Sequence, residues 1–368
     1  MPEFVPGLEL SRSFYEEVVR PLLDDAFPGL VHSAALLGPG SEVLGFDTDR
    51  STAHHWGPRL ILFVAAEHAR SVAPEVSDVL RRRLPVTHRG WSTSFGPPDS
   101  TGVRLLEDAS AGNVAHRVEV HAPEPWFRHV LGFDPADGIG LDDWLRTPTQ
   151  LLATVTAGAV FHDGLGAIEV RRAALAWYPD DVWRYVLGCQ WQRIAHEEAF
   201  VGRAGEVGDD LGSRLVAARV ARDLVRLAFL IERRYAPYSK WLGRAFEQLE
   251  CAGEVGPHLA HALAATSWQR REAALGRAAE TLGTRFNALG LCEPVDTSLR
   301  PYCGRPFLVI DAQRFADAAY ASIRDPRVAA LPRGVGAIDQ WVDNTDVLSS
   351  PERVRRSARV VDDLDRRA

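Results

Sequence analysis

Lysine is almost missing from this chain. Of its 42 basic residues one is lysine, Lys240, and the others are arginine. The drift suits a GC-rich coding sequence. A lysine that survives it is either a chance remnant or a position where a compact ammonium does what a flat guanidinium cannot. Methionine occurs once, at the start, and cysteine four times, as Cys189, Cys251, Cys292 and Cys303. None of the four lies in a CxxC pair, which excludes a zinc ribbon or a disulfide frame and fits the reduced thiols of the cytoplasm. No run approaches the ~20 apolar residues of a membrane span. The opening residues lack the basic and apolar regions of a secretory leader, so a cytoplasmic protein is expected. A positive excess is lacking too: the net charge of −7 argues against wholesale nucleic-acid binding.

What is present has the balance of a globular protein. The 368 residues are 46% apolar and 25% charged, enough for a sizeable core and about two domains. Apolar residues at helical spacing predict a helix over 8–25, and "VHSAALL" a strand over 31–37. "RLILFVAA" predicts a buried strand over 59–66, and the segment before "RRRLP" a helix over 73–84. In "AHRVEVH" (115–121) Val118 and Val120 share one face, while Glu119 and His121 share the other. Beyond about residue 145 helical periods dominate, over 180–204, 211–235 and 254–290. In 211–235 Leu215, Val216, Val220, Leu224, Leu227 and Ile231 form one stripe. The expected class is α+β: a mixed-sheet domain over 1–145, an all-helical domain over 146–350 and a charged tail over 351–368.

The chemistry concentrates in "GPGSEVLGFDTDRSTAHHWGPR" (38–59). A strand, a Gly-Ser turn and a second strand resemble the nucleotidyltransferase superfold of the polymerase-β type. There a Gly-Ser pair and a glycine four residues on precede an Asp-x-Asp, and a third carboxylate comes from a later strand. Gly40-Ser41, Gly45 and Glu119 match, but the Asp-x-Asp falls on Ala53-His54-His55. A wider set of segments, from "FVPGLELSRSFYEE" through "STAHHWGPR" to "PYSKWL", is similar to the bacterial DUF4037 family, a domain of unknown function, from residue 4 to about 350. That family carries "STDHDWGPR" in place of "STAHHWGPR".

The resemblance implies a nucleoside triphosphate, a divalent metal and a small hydroxylated or amino acceptor, bound in an interdomain cleft. Mg²⁺ wants carboxylate oxygens. Ala53 offers none and His55 offers a nitrogen, so ordinary Mg²⁺-dependent transfer is not expected; Zn, Fe or Ni would suit a His–Glu set better. Three readings of the histidines remain open. His55, His54 or His121 forms a soft-metal or acid–base site with Glu119, with His55 and His121 on neighbouring strands. Or the pocket binds a nucleotide or phosphate without turnover. Or these are hydrogen-bonded histidines with no task.

Backbone N–H groups of Gly40 and Ser41 could cradle a phosphate, with Arg59 beside them. The resemblance further implies that Tyr238 and Lys240 contact the triphosphate, and that a helical-domain glutamate, Glu197 or Glu198, deprotonates the acceptor. Arg203 and Arg214 are further anion-holding candidates. The expected function is therefore a small-molecule enzyme of nucleotidyltransferase descent, and the alternative is a catalytically inactive pseudoenzyme that binds a nucleotide or metabolite. Neither the oligomeric state nor the ligand is legible.

Overall fold

The computed structural model describes residues 2–53, 55–100, 102–109 and 111–357. Its chain divides into two compact units. The first comprises residues 1–139, 150–176 and 349–355; the second comprises 140–149, 177–348 and the tail. The single boundary expected near 140–150 is therefore crossed more than once. Mixed sheet and helices make the protein α+β, as its periodicities indicate.

The first unit is built on a four-stranded sheet. Helix α1 (Gly7–Phe14) runs through a π-helical turn (Tyr15–Val19) into α2 (Arg20–Ala26). There follow β1 (His32–Leu36), β2 (Arg59–Val64), α3 (Ala66–Arg83), β3 (Arg117–His121), α4 (Pro123–Leu131), β4 (Ala159–Asp163) and α5 (Ile168–Ala174). The strand order is β3-β2-β1-β4. β1 runs antiparallel to both β2 and β4, and β2 runs parallel to β3. Strand β4 was hidden by the helical periods around it. Helix α3 starts at Ala66, ahead of the expected residue 73, and holds Pro74 in its interior.

β2 is buried along its whole length, which explains its unbroken apolar run. One face of the sheet packs Leu60, Leu62 and Val118 against Phe14, Tyr15, Val76 and Leu80. On the other, Phe63 meets Trp126 of α4 edge-on, 5.5 Å between ring centres. Register sets the site: Arg59 pairs with Arg117, Ile61 with Glu119 and Phe63 with His121. All six lie on the α4 side.

The second unit is helical: α6 (Asp180–Glu197), α7 (Phe200–Glu206), α8 (Asp210–Ile231), α9 (Ala252–Ala264), α10 (Trp268–Ala288) and α11 (Gln313–Ala321). A two-residue strand, β5 (Leu308–Val309), precedes α11. Segments 180–204 and 254–290 are each two helices. α8 ends at Ile231, and Arg233 follows at φ 52°. Leu215 is 64% exposed, so the buried stripe runs through Ala217, Val220, Leu224 and Leu227 instead. Trp191 stacks on Phe315 at 4.5 Å in the core. No helix among the described residues is long and apolar enough to cross a membrane.

Candidate functional site

β1 runs out into the Gly38–Ser41 turn. At Gly40 a Cβ would fall 2.6 Å from an Arg59 guanidinium nitrogen, so only glycine permits the approach. Arg59 donates through Nε and a terminal nitrogen to Glu42 Oε1 at 2.9 and 2.6 Å, and to the Pro39 carbonyl at 2.9 Å. Both partners are buried. Arg59, expected to hold phosphate, is thus a tie that fixes the turn.

His55 does not sit on a strand. It follows a 3-10 turn (Asp49–Ala53) and precedes β2, with φ at 53°. Its expected place on a strand beside that of His121 does not hold: the partner of His121 is Phe63. The His55 N–H donates to the Arg104 carbonyl at 3.1 Å. Arg117 donates to His55 Nδ1 at 2.9 Å and reaches the His55 carbonyl at 3.4 Å. A guanidinium only donates, so Nδ1 must accept and carries no proton in this contact. Acting as a base, His55 would take a second proton at Nδ1 and lose Arg117.

Arg117 also lies 3.6 Å from Glu119 Oε1, and His121 Nε2 lies 3.3 Å from Glu119 Oε2. The His121 hydrogen bond, then the charges of Arg117 and Arg59, hold the Glu119 carboxyl below its usual range against burial. Burial lowers the proton affinity of Arg117, and neighbouring Arg59 adds to it. His55 and Glu119 therefore meet through a guanidinium. This donor set does not fit Mg²⁺: Ala53 has no ligand atom, the His55 nitrogen is engaged and a cation stands between it and Glu119. Among the described residues no group of three or more His, Cys, Asp or Glu side chains is placed to hold a metal. His54 lies outside the described residues.

The helical unit holds the other candidates. Glu197 pairs with Arg219 at 3.0 Å. Glu198 instead accepts from the Ala312 N–H at 3.0 Å, and burial pushes its carboxyl up to about 7. Arg214 is tied to Asp210 at 2.7 Å, and Arg203 lies over Phe200. Lys240 is exposed, its ammonium 4.7 Å from the Trp241 ring centre, and Tyr238 is half-buried two residues earlier. All four cysteines are free.

Sequence reasoning missed a pocket in the same unit, partly open to solvent, with about 410 Å³ of space between its walls and the solvent at its mouth. Trp177, Tyr178, Arg226, Phe229, Arg234 and Asp339 are among its walls. Asp339 comes from a 3-10 turn (Ile338–Gln340) far along the chain, and accepts from the Thr149 N–H and hydroxyl at 2.9 and 3.1 Å. No spacing rule joins residues 149 and 339; only the dense aromatics of "AWYPDDVW" hinted at a packed cluster.

An α+β protein with these features was compared with known families and structures. Residues 144–242 match the model of DUF4037, a domain of unknown function. That stretch is shorter than the resemblance read from residue 4 to about 350, and it carries most of the aromatic pocket. Solved structures similar to the chain include a nucleotidyltransferase-like protein from Exiguobacterium sibiricum 255-15, at 12% identity, 77% coverage of each chain and a TM-score of 0.31. No curated protein matches.

Proposed function

We propose that the sheet unit binds a nucleotide or phosphorylated metabolite without metal-dependent nucleotidyl transfer. One observation carries this reading: the Arg117 guanidinium, held between His55 and Glu119, puts a tethered positive charge where the resemblance would place a metal. Arg59 binds the Gly-Ser turn and is the register partner of Arg117, so the turn and the guanidinium belong to the same end of the sheet. A planar fork with five N–H donors suits phosphate oxygens, and turn N–H groups add to it. Lys240 and Tyr238 are kept as phosphate contacts within this proposal.

Calorimetric titration with ATP, GTP, CTP and UTP, in EDTA and in Mg²⁺, tests it. Binding that survives EDTA and weakens about tenfold or more in Arg117→Ala is the expected outcome. A strict Mg²⁺ requirement would overturn it. Turnover by histidine chemistry is favoured by one feature, the half-exposed His121–Glu119 pair. Under that reading His121→Ala abolishes nucleotide consumption while binding persists.

A further inference from the structure

The helical unit contains a cluster of hydrogen-bond donors with nothing to donate to. Tyr178 is 3% exposed, and its hydroxyl has no partner among the described residues. The indole N–H of Trp177 is likewise buried and unpartnered. Both residues wall the half-open pocket described above. Native proteins satisfy nearly all such groups, so two orphans lining one cavity ask what they face. Arg226 lines it too, and one of its terminal nitrogens donates to the Asp339 carbonyl. Burial lowers the proton affinity of Arg226, and the nearby Arg222 and Arg193 add to it against the carboxylates of Asp339 and Asp223. The neighbouring acceptors are spoken for. Asp339 turns its two oxygens to Thr149, and burial raises its carboxyl against the charge of Arg226 and the Thr149 hydrogen bonds. Gln340 donates to the Val186 carbonyl and to Gln190 Oε1, while its own oxygen accepts from the Ala337 N–H. Left over are a phenol, an indole N–H and a guanidinium, all of them donors.

We propose that this pocket binds a small aromatic oxyanion, a molecule carrying a carboxylate or phosphate on a flat apolar body. The oxyanion accepts from Tyr178, Trp177 and Arg226. The flat body suits the aromatic walls, Trp177, Tyr178 and Phe229, the first two 5.1 Å apart between ring centres. Arg234, at the same pocket, adds positive charge. This site lies wholly in the helical unit, independent of the sheet-unit proposal.

The full chain is titrated calorimetrically with benzoate and with phenyl phosphate, and with benzyl alcohol as the neutral match. At least one acid should bind saturably, about tenfold or more tighter than the alcohol. Which acid binds separates carboxylate from phosphate recognition. Tyr178→Phe should weaken that binding about tenfold or more, with a melting temperature equal to or above that of the unaltered protein, because only an unpartnered hydroxyl is removed. Arg226→Gln should weaken it as well. The proposal fails if neither acid binds at about 10 mM, if the alcohol binds equally well, or if both pocket variants keep full affinity.

Discussion

Replacing Glu42 with glutamine strips the charge from the buried partner of Arg59. The pair is 3% and 8% exposed, with contacts of 2.6 and 2.9 Å. Removing one member of a buried pair leaves an uncompensated charge, at a typical cost of about 3–5 kcal/mol. The Pro39 carbonyl stays on Arg59 and the amide keeps an acceptor, so the lower end, about 3 kcal/mol, is expected. For a unit of this size that is a fall in melting temperature of about 6–12 °C. The double variant Glu42→Leu with Arg59→Met removes both charges and should cost less than Glu42→Gln alone, since apolar replacement of a whole buried pair is often neutral. Calorimetric melts of the single and double variants give the comparison. If Arg59→Met melted like the unaltered protein yet lost all nucleotide affinity, Arg59 would be a ligand contact and the tie to the turn incidental.

Other outcomes follow from the same geometry. Glu198 sits at about 7 in the folded protein against 4.5 for the free side chain. The folded state therefore holds a proton that the unfolded chain releases first. The contribution of this group is fully present below pH about 4.5 and is lost as pH rises to about 7, by order 3 kcal/mol. Urea unfolding across that window should show the difference between the unaltered protein and Glu198→Gln shrinking as pH rises, and a constant difference would refute the assignment. His55→Asp should convert the Arg117 contact into an ion pair at a φ that aspartate tolerates, leaving stability equal or higher; a melting temperature that then rises with added Mg²⁺ would contradict the claim that the guanidinium holds the position. Lys240→Ala should change stability by less than about 1 kcal/mol, the scale of an exposed cation–π contact; measuring its nucleotide affinity decides whether this lysine touches phosphate.

Strands β1, β2 and β3 were legible because each is short, apolar and bounded by turn residues. So was the sidedness of Glu119 and His121, which follows from a period of two. β4 was not: "AVFHD" is brief, lies among helical periods, and becomes a strand only because β1 offers an unpaired edge. The histidine site was half visible. The sequence marks position 55 as abnormal for the resemblance, but the partner of His55 is 62 residues away, and nothing in "AHRVEVH" shows which way Arg117 turns. Arg59 misled for a similar reason. An arginine beside a Gly-Ser turn suits a phosphate equally well until Glu42 is found against it. The aromatic pocket depends on a loop that returns after more than a hundred residues, beyond the reach of local periodicity.

The late arrival of β4 governs how the protein can be divided. A fragment ending near residue 145 would lack the strand that covers one side of β1, exposing backbone amides to any neighbouring chain. It would also lose Asp163, whose carboxylate receives the Ser33 hydroxyl and the first amides of α5. Producing the sheet unit alone therefore means splicing 150–176 and 349–355 back onto it, and gene fragments cut at the composition boundary should yield aggregates.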